Sequence, residues 1–337
     1  MLELREKYVA AIEKEAKERV KEQPSTLYIG GGTPSTLSVE QVGKILRAVT
    51  PDIEAVEEVT MEANPGDLGE EYLREIRKLG IKRLSIGVQS LDDTLLQRIG
   101  RRHTAAEAKE AVRRAQEAGI ENISVDLMYG LPGQTMEQWE ADIEAALRLG
   151  IQHLSTYCLS YEQGTALTRM RDKGEVAEQD EDTLNAMYDR LCHRLTEAGF
   201  EHYEVSNFAK PGFRSRHNSR YWDHTPYIGL GAAAHSLEGR RREWNPADLE
   251  AYIRGIQEGT LKREGERLSD EEWHEEEVML GLRTAEGIEA TILSADARRR
   301  AEEYIERGLM TYNTTRTRIR ATREGIHILN TIITDLL

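Results

Sequence analysis

A short strand, a glycine-containing turn and an amphipathic helix follow one another repeatedly along the first two hundred residues. That alternation confines the chain to folds built on a parallel sheet, because a strand that returns parallel to its predecessor needs a helical crossover. The first unit pairs the β-branched and aromatic run Thr26–Ile29 with a helical run over Val39–Val49 announced by Ser38. Four more units follow: Val56–Met61 with Leu68–Leu79, Arg83–Val88 with Thr94–Ile99 and Ala105–Ala118, Asn122–Leu127 with Met136–Leu149, and His153–Leu159 with Asp180–Ala198. Helices end near Gly80, Gly119, Gly150 and Gly199, each followed by an apolar residue. A glycine there lets the chain leave the helix through a left-handed residue and enter the next strand. A leading helix over residues 4–20 places Leu4, Tyr8, Ala11, Ile12 and Ala16 on one stripe and Glu and Lys on the other face. Five units are too few for a closed eight-stranded barrel and suit an open barrel or a doubly wound sheet; periodicity leaves the two unresolved.

The alternation fades after Gly199 into a segment rich in Gly, Pro and Arg, Lys210–Arg216. From about Leu268 a helical stretch leads to two short β-like runs, Arg316–Arg320 and Gly325–Leu329, expected to form a small appended α+β domain of winged-helix type. The expected division is therefore a partial barrel core over 1–200, a connecting segment over 201–265 and a C-terminal domain over 266–337. A length of 337 residues accommodates one large and one smaller domain. The net charge of −15 repels a phosphate backbone, which makes nucleic acid a poor partner. Arg316, Arg318, Arg320 and Arg323 in the tail are the one basic run that argues otherwise, and the solvated face of a strand is the preferred reading of them. The two cysteines, Cys158 and Cys192, stand alone, without the close second cysteine that a shared metal or a disulfide framework requires. The first twenty residues break every apolar run with charge, so neither a signal peptide nor a membrane span is expected, and a cytoplasmic protein is.

Unusual residues gather at the carboxyl ends of the strands, where parallel α/β folds place their ligands. Gly30–Pro34 (GGGTP) follows the first strand; such glycines let backbone approach a ligand and present N–H groups to a carboxylate or phosphate, although an ordinary turn would look the same. Glu62, Gln89 and Asp126 sit at or near the ends of the second, third and fourth strands, where apolar side chains belong. A charge in a strand buried on both faces costs several kcal/mol unless it has a partner, so each implies a ligand or a structural ion pair. Arg101 offers a planar fork suited to a ligand carboxylate. Further on, His217-Asn-Ser-Arg-Tyr-Trp222 places an imidazole beside large aromatics, as a flat ligand with a metal centre would want, or as ordinary packing would.

GGGTP (30–34), EANP (62–65), GVQS (87–90), IGRRHT (99–104), DLMYGLPGQT (126–135), YCLSYEQGT (157–165) and HNSRYW (217–222), read in order, resemble the radical S-adenosylmethionine proteins related to oxygen-independent coproporphyrinogen III oxidase. The HNxxYW motif running on into GLGAAAHS (229–236) is closer to the haem chaperone branch, HemW, than to the oxidase. The resemblance covers nearly the whole chain and implies a partial (β/α)6-type barrel lacking its first strand. It implies that Gly31, Gly32 and Thr33 meet the methionine end of S-adenosylmethionine, with Glu62 nearby, and that Arg101 pairs its carboxylate. Gln89 and Asp126 would contact the nucleoside side, Ser160 would line the same pocket, and His217 would bind haem.

Family members carry a CxxxCxxC motif on an initial strand, whose thiolates hold a [4Fe–4S] cluster. This chain has no such motif, and its first residue falls at the helix that should follow that strand. Truncation is the reading favoured over evolutionary loss, with the cluster belonging to the full-length family member only. The expected function is binding of haem and S-adenosylmethionine for haem delivery to respiratory proteins, without radical chemistry by the chain as it stands. The alternative is a coproporphyrinogen III oxidase-like radical enzyme of porphyrin biosynthesis. A sheet edge beside Leu27–Ile29 is expected to invite pairing with a second chain and hence dimerisation.

Overall fold

A computed structural model describes residues 2–337. Its main element is a curled sheet of seven strands in the order β1-β2-β3-β4-β5-β7-β6: β1 (Thr26–Ile29), β2 (Glu58–Ala63), β3 (Arg83–Gln89), β4 (Asn122–Tyr129), β5 (His153–Cys158), β6 (Glu201–Glu204) and β7 (Asn207–Ala209). β2 to β5 run parallel, while β7 pairs antiparallel with both β5 and β6. The expected open barrel is what the chain forms, extended by an antiparallel pair that the sequence reading did not contain. That pair is easily missed, since β6 and β7 have four and three residues and no room for a periodic signature.

Most of the described helices begin where a side chain satisfies a free N–H group. α1 (Leu2–Arg19) leads, and α2 (Val39–Val49) follows the Ser38/Gln41 capping box. α3 (Glu70–Lys78) and α4 (Asp93–Arg98) precede α5 (Ala105–Glu117), boxed by Thr104 and Glu107, and α6 (Met136–Arg148), boxed by Thr135 and Gln138. α7 (Ala166–Asp172), α8 (Glu181–Glu197) and the single turn α9 (Arg216–Ser219) complete the series.

The chain divides into two compact units. One holds the segments ending at Leu27, Leu37–Glu58 and Ser215–Leu337; the other holds Tyr28–Thr36 and Val59–Arg214. In the second unit the parallel register puts opposite chemistries on the two sheet faces. Partnered residues share a face, so Glu62 aligns with Ser85 and Ser85 with Ser124, while Ser124 aligns with His153 and Asp126 with Ser155. The other face carries Met61, Leu84, Ile86, Val125, Leu127 and Leu154, all buried. α5 and α6 pack against β3 and β4, and the Trp139 indole N–H donates to the Met187 carbonyl at 2.9 Å, tying α6 to α8. Burial of this apolar layer, worth roughly 25 cal/mol per Å² removed from water, holds the unit together. The polar layer instead buries Arg83, Ser85, Ser124, His153 and Ser155.

In the first unit, β8 (His235–Glu238), β9 (Arg241–Trp244) and β10 (Glu264–Arg267) form a three-stranded antiparallel sheet beside α10 (Leu249–Glu258). α1 packs on α2 and α10 through Tyr8, Val9, Ala11, Ile12, Ile45, Tyr252, Ile253 and Ile256. Glu15, on the same stripe, is fully buried and accepts from Tyr252 Oη (2.7 Å), Arg263 Nη2 (2.8 Å), Gly231 N (2.9 Å), Asn245 Nδ2 (2.9 Å) and Arg19 Nη1 (3.3 Å). The glycines of the GLGAAAH run are explained here: a Cβ on Gly231 would lie 2.5 Å from the Tyr8 hydroxyl, and one on Gly229 would lie 2.1 Å from the His235 carbonyl oxygen.

At the C-terminus, α11 (Asp270–Gly281) and α12 (Ala295–Glu306) accompany a second small sheet of β11 (Ile288–Glu289), β12 (Met310–Tyr312) and β13 (Arg318–Ala321), followed by α13 (Arg323–Ile326) and α14 (Leu329–Leu336). Residues 325–329 were expected as strand and are instead in and between these helices, because the Thr322 hydroxyl accepts from Gly325 N and starts α13. Arg318 pairs with Glu289 at 2.6 Å and donates to the Glu286 and Gly287 carbonyls, and Arg320 donates to the Ala285 carbonyl. Those guanidiniums brace their own sheet. No described helix is long and apolar enough to cross a membrane.

Candidate functional site

The polar face of the large sheet carries the first candidate site. β1 ends in glycines, of which Gly31 and Gly32 adopt φ of 73° and 56°, a left-handed pair that ordinary side chains resist. A Cβ on either would meet nothing within 4 Å, so backbone at both positions faces open space. Gly30 is constrained differently. A Cβ there would lie 2.5 Å from the Tyr28 ring and 2.9 Å from Glu62 Oε1. The Gly30→Ala protein should therefore lose about 1–3 kcal/mol by overpacking and displace Tyr28 from Glu62; urea unfolding measures the first effect, and a parent-like midpoint would refute it.

Glu62 accepts from the Tyr28 hydroxyl at 2.8 Å and from Gly31 N at 3.0 Å, so this carboxylate fixes the glycine turn from beneath. Thr33 closes the turn with its carbonyl, accepting from Thr36 N (3.1 Å) and Thr36 Oγ1 (2.8 Å). The turn is further pinned by Ser35, whose hydroxyl donates to Asp67 at 2.6 Å.

Gln89 ends β3 with φ of 69°, beside a register shift between β3 and β4. A left-handed non-glycine residue costs of order 1–3 kcal/mol and survives where surroundings enforce it. They do so through Asp142 on α6, almost fully buried, which accepts from Ser90 Oγ (2.7 Å) and Leu91 N (2.8 Å). Burial pushes its carboxyl up to about 6 against those two hydrogen bonds. The Gln89 amide lies over Gly87, near Asn64. Arg101 reaches the same place, donating to Asn64 Oδ1 at 3.4 Å, the only hydrogen bond of its guanidinium among the described residues. Burial lowers the guanidinium's pKa, opposed by attraction to Asp126.

Asp126, partly accessible, accepts from Ser85 Oγ at 3.1 Å. Its pKa rises to about 6, chiefly from burial; Ser85, Arg83 and Ser155 oppose the rise and Glu62 adds to it. Beneath it, Arg83 is only 1% exposed, with Nε and Nη1 meeting no acceptor among the described residues. His153 completes this lower layer, its ring nitrogens 2.7 Å from Ser124 Oγ and 2.7 Å from Tyr203 Oη.

Glu62, Gln89, Arg101 and Asp126 thus converge with the glycine turn. Ser160 does not join them in any contact; it is exposed beyond β5, its hydroxyl donating to Glu162 at 3.0 Å. Tyr28, Asn64, Ser85 and Ser155 belong to the cluster and were not singled out from the sequence, since only strand register reveals that they share its face.

His217 lies in the other unit, on α9. Its Nδ1 is 2.9 Å from Thr26 Oγ1 and its Nε2 is 3.0 Å from the Tyr221 hydroxyl. The buried Glu58 carboxylate accepts from Arg216 N (2.8 Å) and His217 N (3.0 Å), fixing the backbone that carries the imidazole. Among the described residues no three His, Cys, Asp or Glu side chains are grouped to hold a metal ion.

Comparison with known proteins fits this geometry. Residues 3–146 match the Radical SAM superfamily. The Heme chaperone HemW of Lactococcus lactis is 40% identical over 284 residues, covering 83% of this chain and 74% of that protein. The Heme chaperone HemW of Bacillus subtilis is 39% identical over 292 residues, covering 84% and 77%. Among solved structures, coproporphyrinogen III oxidase (HemN) from Escherichia coli superposes with a TM-score of 0.82 over 98% of this chain and 83% of that one; at 21% identity this speaks for the fold alone.

Proposed function

The chain belongs to the HemW haem chaperone family of the radical S-adenosylmethionine superfamily, and from that premise we propose that it binds S-adenosylmethionine on its polar sheet face and haem through His217, for delivery to respiratory proteins. The observation that carries the first half is Arg101: its guanidinium is drawn partly out of water at the edge of the polar cluster, makes one long 3.4 Å hydrogen bond to Asn64, and has the planar fork that suits bidentate binding of a carboxylate.

Around it the donor set suits the rest of the ligand. Gly31, Gly32 and Thr33 bring backbone close to the methionine end, with Glu62 positioned to attract its ammonium. Asp126 and Gln89 face the nucleoside side, where a carboxylate and an amide receive ribose hydroxyls and base edge. S-adenosylmethionine, when bound, supplies a sulfonium-activated 5′-deoxyadenosyl group. Ser160 would line the pocket only after releasing Glu162.

The [4Fe–4S] cluster that the family pattern implies does not fit the residues present. Two cysteines, Cys158 exposed and Cys192 buried, cannot supply its three thiolates. Radical chemistry is accordingly not assigned to this chain.

Calorimetric titration with S-adenosylmethionine tests the first site. Arg101→Ala should weaken binding roughly tenfold or more, the loss expected for a charge-assisted hydrogen bond, whereas Ser160→Ala should change it less than about twofold. Parent-like affinity in Arg101→Ala would remove the assignment. Haem titration tests the second: His217→Ala should lose the Soret shift. Dimerisation through the edge strand β1 is a further part of the proposal, and a monomeric mass across the micromolar range would count against it.

A further inference from the structure

Both ring nitrogens of His217 are engaged. Thr26 Oγ1 lies 2.9 Å from Nδ1, and the Tyr221 hydroxyl lies 3.0 Å from Nε2. A neutral imidazole has one donor nitrogen and one acceptor, and ligation of iron through Nε2 requires that Nδ1 carry the proton and donate it to an oxygen. Thr26 is that oxygen. The backbone beneath is held by the Glu58 carboxylate, so the imidazole is already oriented as a ligand by its main chain and its inner nitrogen. What stands on the outer nitrogen is Tyr221.

We propose that Tyr221 is a latch on the haem-ligating nitrogen: its hydroxyl occupies the coordination position on His217 Nε2, and swings aside onto the solvent side when haem docks. This rests on the reading of His217 as the iron ligand. Tyr221 is 43% exposed, so its ring has room to move without unpacking a core. It stands edge-on to the imidazole at 5.4 Å between centroids and edge-on to Tyr227 at 4.9 Å. Tyr221 thus stands in an aromatic pair with Tyr227, the kind of surface a flat apolar macrocycle stacks on. Opening breaks one hydrogen bond between the hydroxyl and Nε2 and forms one iron–nitrogen bond; the phenol keeps its proton and no electron is transferred.

Such an arrangement makes ligand binding compete with an internal hydrogen bond. It keeps Nε2 from stray metal ions and makes haem release easier, because Tyr221 can reclaim the nitrogen as iron leaves.

The test is titration of the full chain with ferric haem, following the Soret band at equilibrium and in stopped flow. Tyr221→Phe keeps the ring and removes the hydroxyl, and is expected to bind haem about 2- to 10-fold tighter, the range for one net hydrogen bond, with faster association. Thr26→Val, which removes the acceptor at Nδ1, is expected to bind several-fold more weakly, and Thr26→Ser to restore binding. If Tyr221→Phe binds equally or more weakly, or shifts the Soret maximum as loss of a phenolate ligand would, while His217→Ala abolishes binding, the latch is overturned and the ligand assignment stands. If His217→Ala binds as the parent does, the ligand assignment itself falls.

Discussion

A Glu15→Ala protein is expected to unfold about 3–5 kcal/mol more readily than its parent, the cost of breaking a buried ion-pair network by removing its central carboxylate. Glu15 is fully buried in α1 and accepts from five donors, two of them arginines, drawn from α1 itself, the loop at Gly231, Asn245, α10 and Arg263. Its removal leaves the Arg263 guanidinium with Asn245 Oδ1 at 2.8 Å and no carboxylate, whereas Arg19 retains Glu243 at 2.5 Å. Burial alone would raise the Glu15 pKa, but hydrogen bonds from Tyr252, Gly231, Arg263 and Asn245 outweigh it and hold the carboxyl below the usual glutamate value. The sign follows: a depressed carboxyl pKa contributes stability in full above the unfolded value of 4.5 and loses it as pH falls through the lower folded value. Urea unfolding at pH 7 and at pH 4 measures both effects. The Glu15→Ala deficit should be smaller at pH 4 than at pH 7, because the parent has begun to lose the contribution below 4.5, and a deficit under about 1 kcal/mol at pH 7 would refute the account.

Glu15 also shows what periodicity can and cannot disclose. The stripe Tyr8, Ala11, Ile12, Ala16 is real, and position 15 lies on it at seven residues from Tyr8, but a glutamate reads as solvent-facing because four of its five partners come from residues more than two hundred positions away. Leu4, counted on the stripe, is 36% exposed. The strand–helix order of the large sheet was legible because each helix carries its own start and stop chemistry, such as Thr104 with Glu107 and the left-handed Gly119. β9 and β10 were not, since RREW and EGER have no buried face to leave a mark.

At the site, the legible residues were those that offend the strand they occupy. Glu62 and Asp126 stand out in apolar runs, and Gln89 where β3 should end. Their supports do not offend: Ser85, Asn64 and Tyr28 are ordinary residues whose importance comes from register, with Ser85 aligned to both Glu62 and Ser124. His217 was visible as a motif, yet the hydroxyls on its two nitrogens come from Thr26, far off in sequence, and from Tyr221 within the motif itself.

Asp126→Asn should move two properties in opposite directions. In the parent, burial first and Glu62 in addition raise the carboxyl to about 6, with Ser85, Arg83 and Ser155 opposing. The folded state therefore holds the proton more tightly than the unfolded chain, whose carboxyl titrates at 3.8. Stability from this group is complete below 3.8 and falls as pH rises through about 6, beyond which the whole cost of a desolvated anion is present. At 1.36 kcal/mol per pKa unit, and with part of the group open to solvent, that cost is about 1–3 kcal/mol. Asparagine keeps the shape and the acceptor for the Ser85 hydroxyl while removing the charge, so the variant should be more stable than the parent by that amount at pH 8 and equal to it at pH 4. The pH slope between 4 and 6 should shrink without vanishing, because Asp142 also titrates near 6 and remains. The same substitution removes the acceptor for a ribose hydroxyl and the negative charge facing Arg101, so affinity for S-adenosylmethionine should fall at least tenfold. Unfolding at the two pH values and calorimetric titration give the two readings. A variant both less stable at pH 8 and unchanged in affinity would mean that Asp126 is a structural partner of Arg83. Stability gained as affinity is lost would mark Asp126 as a group held at a cost because the ligand needs it.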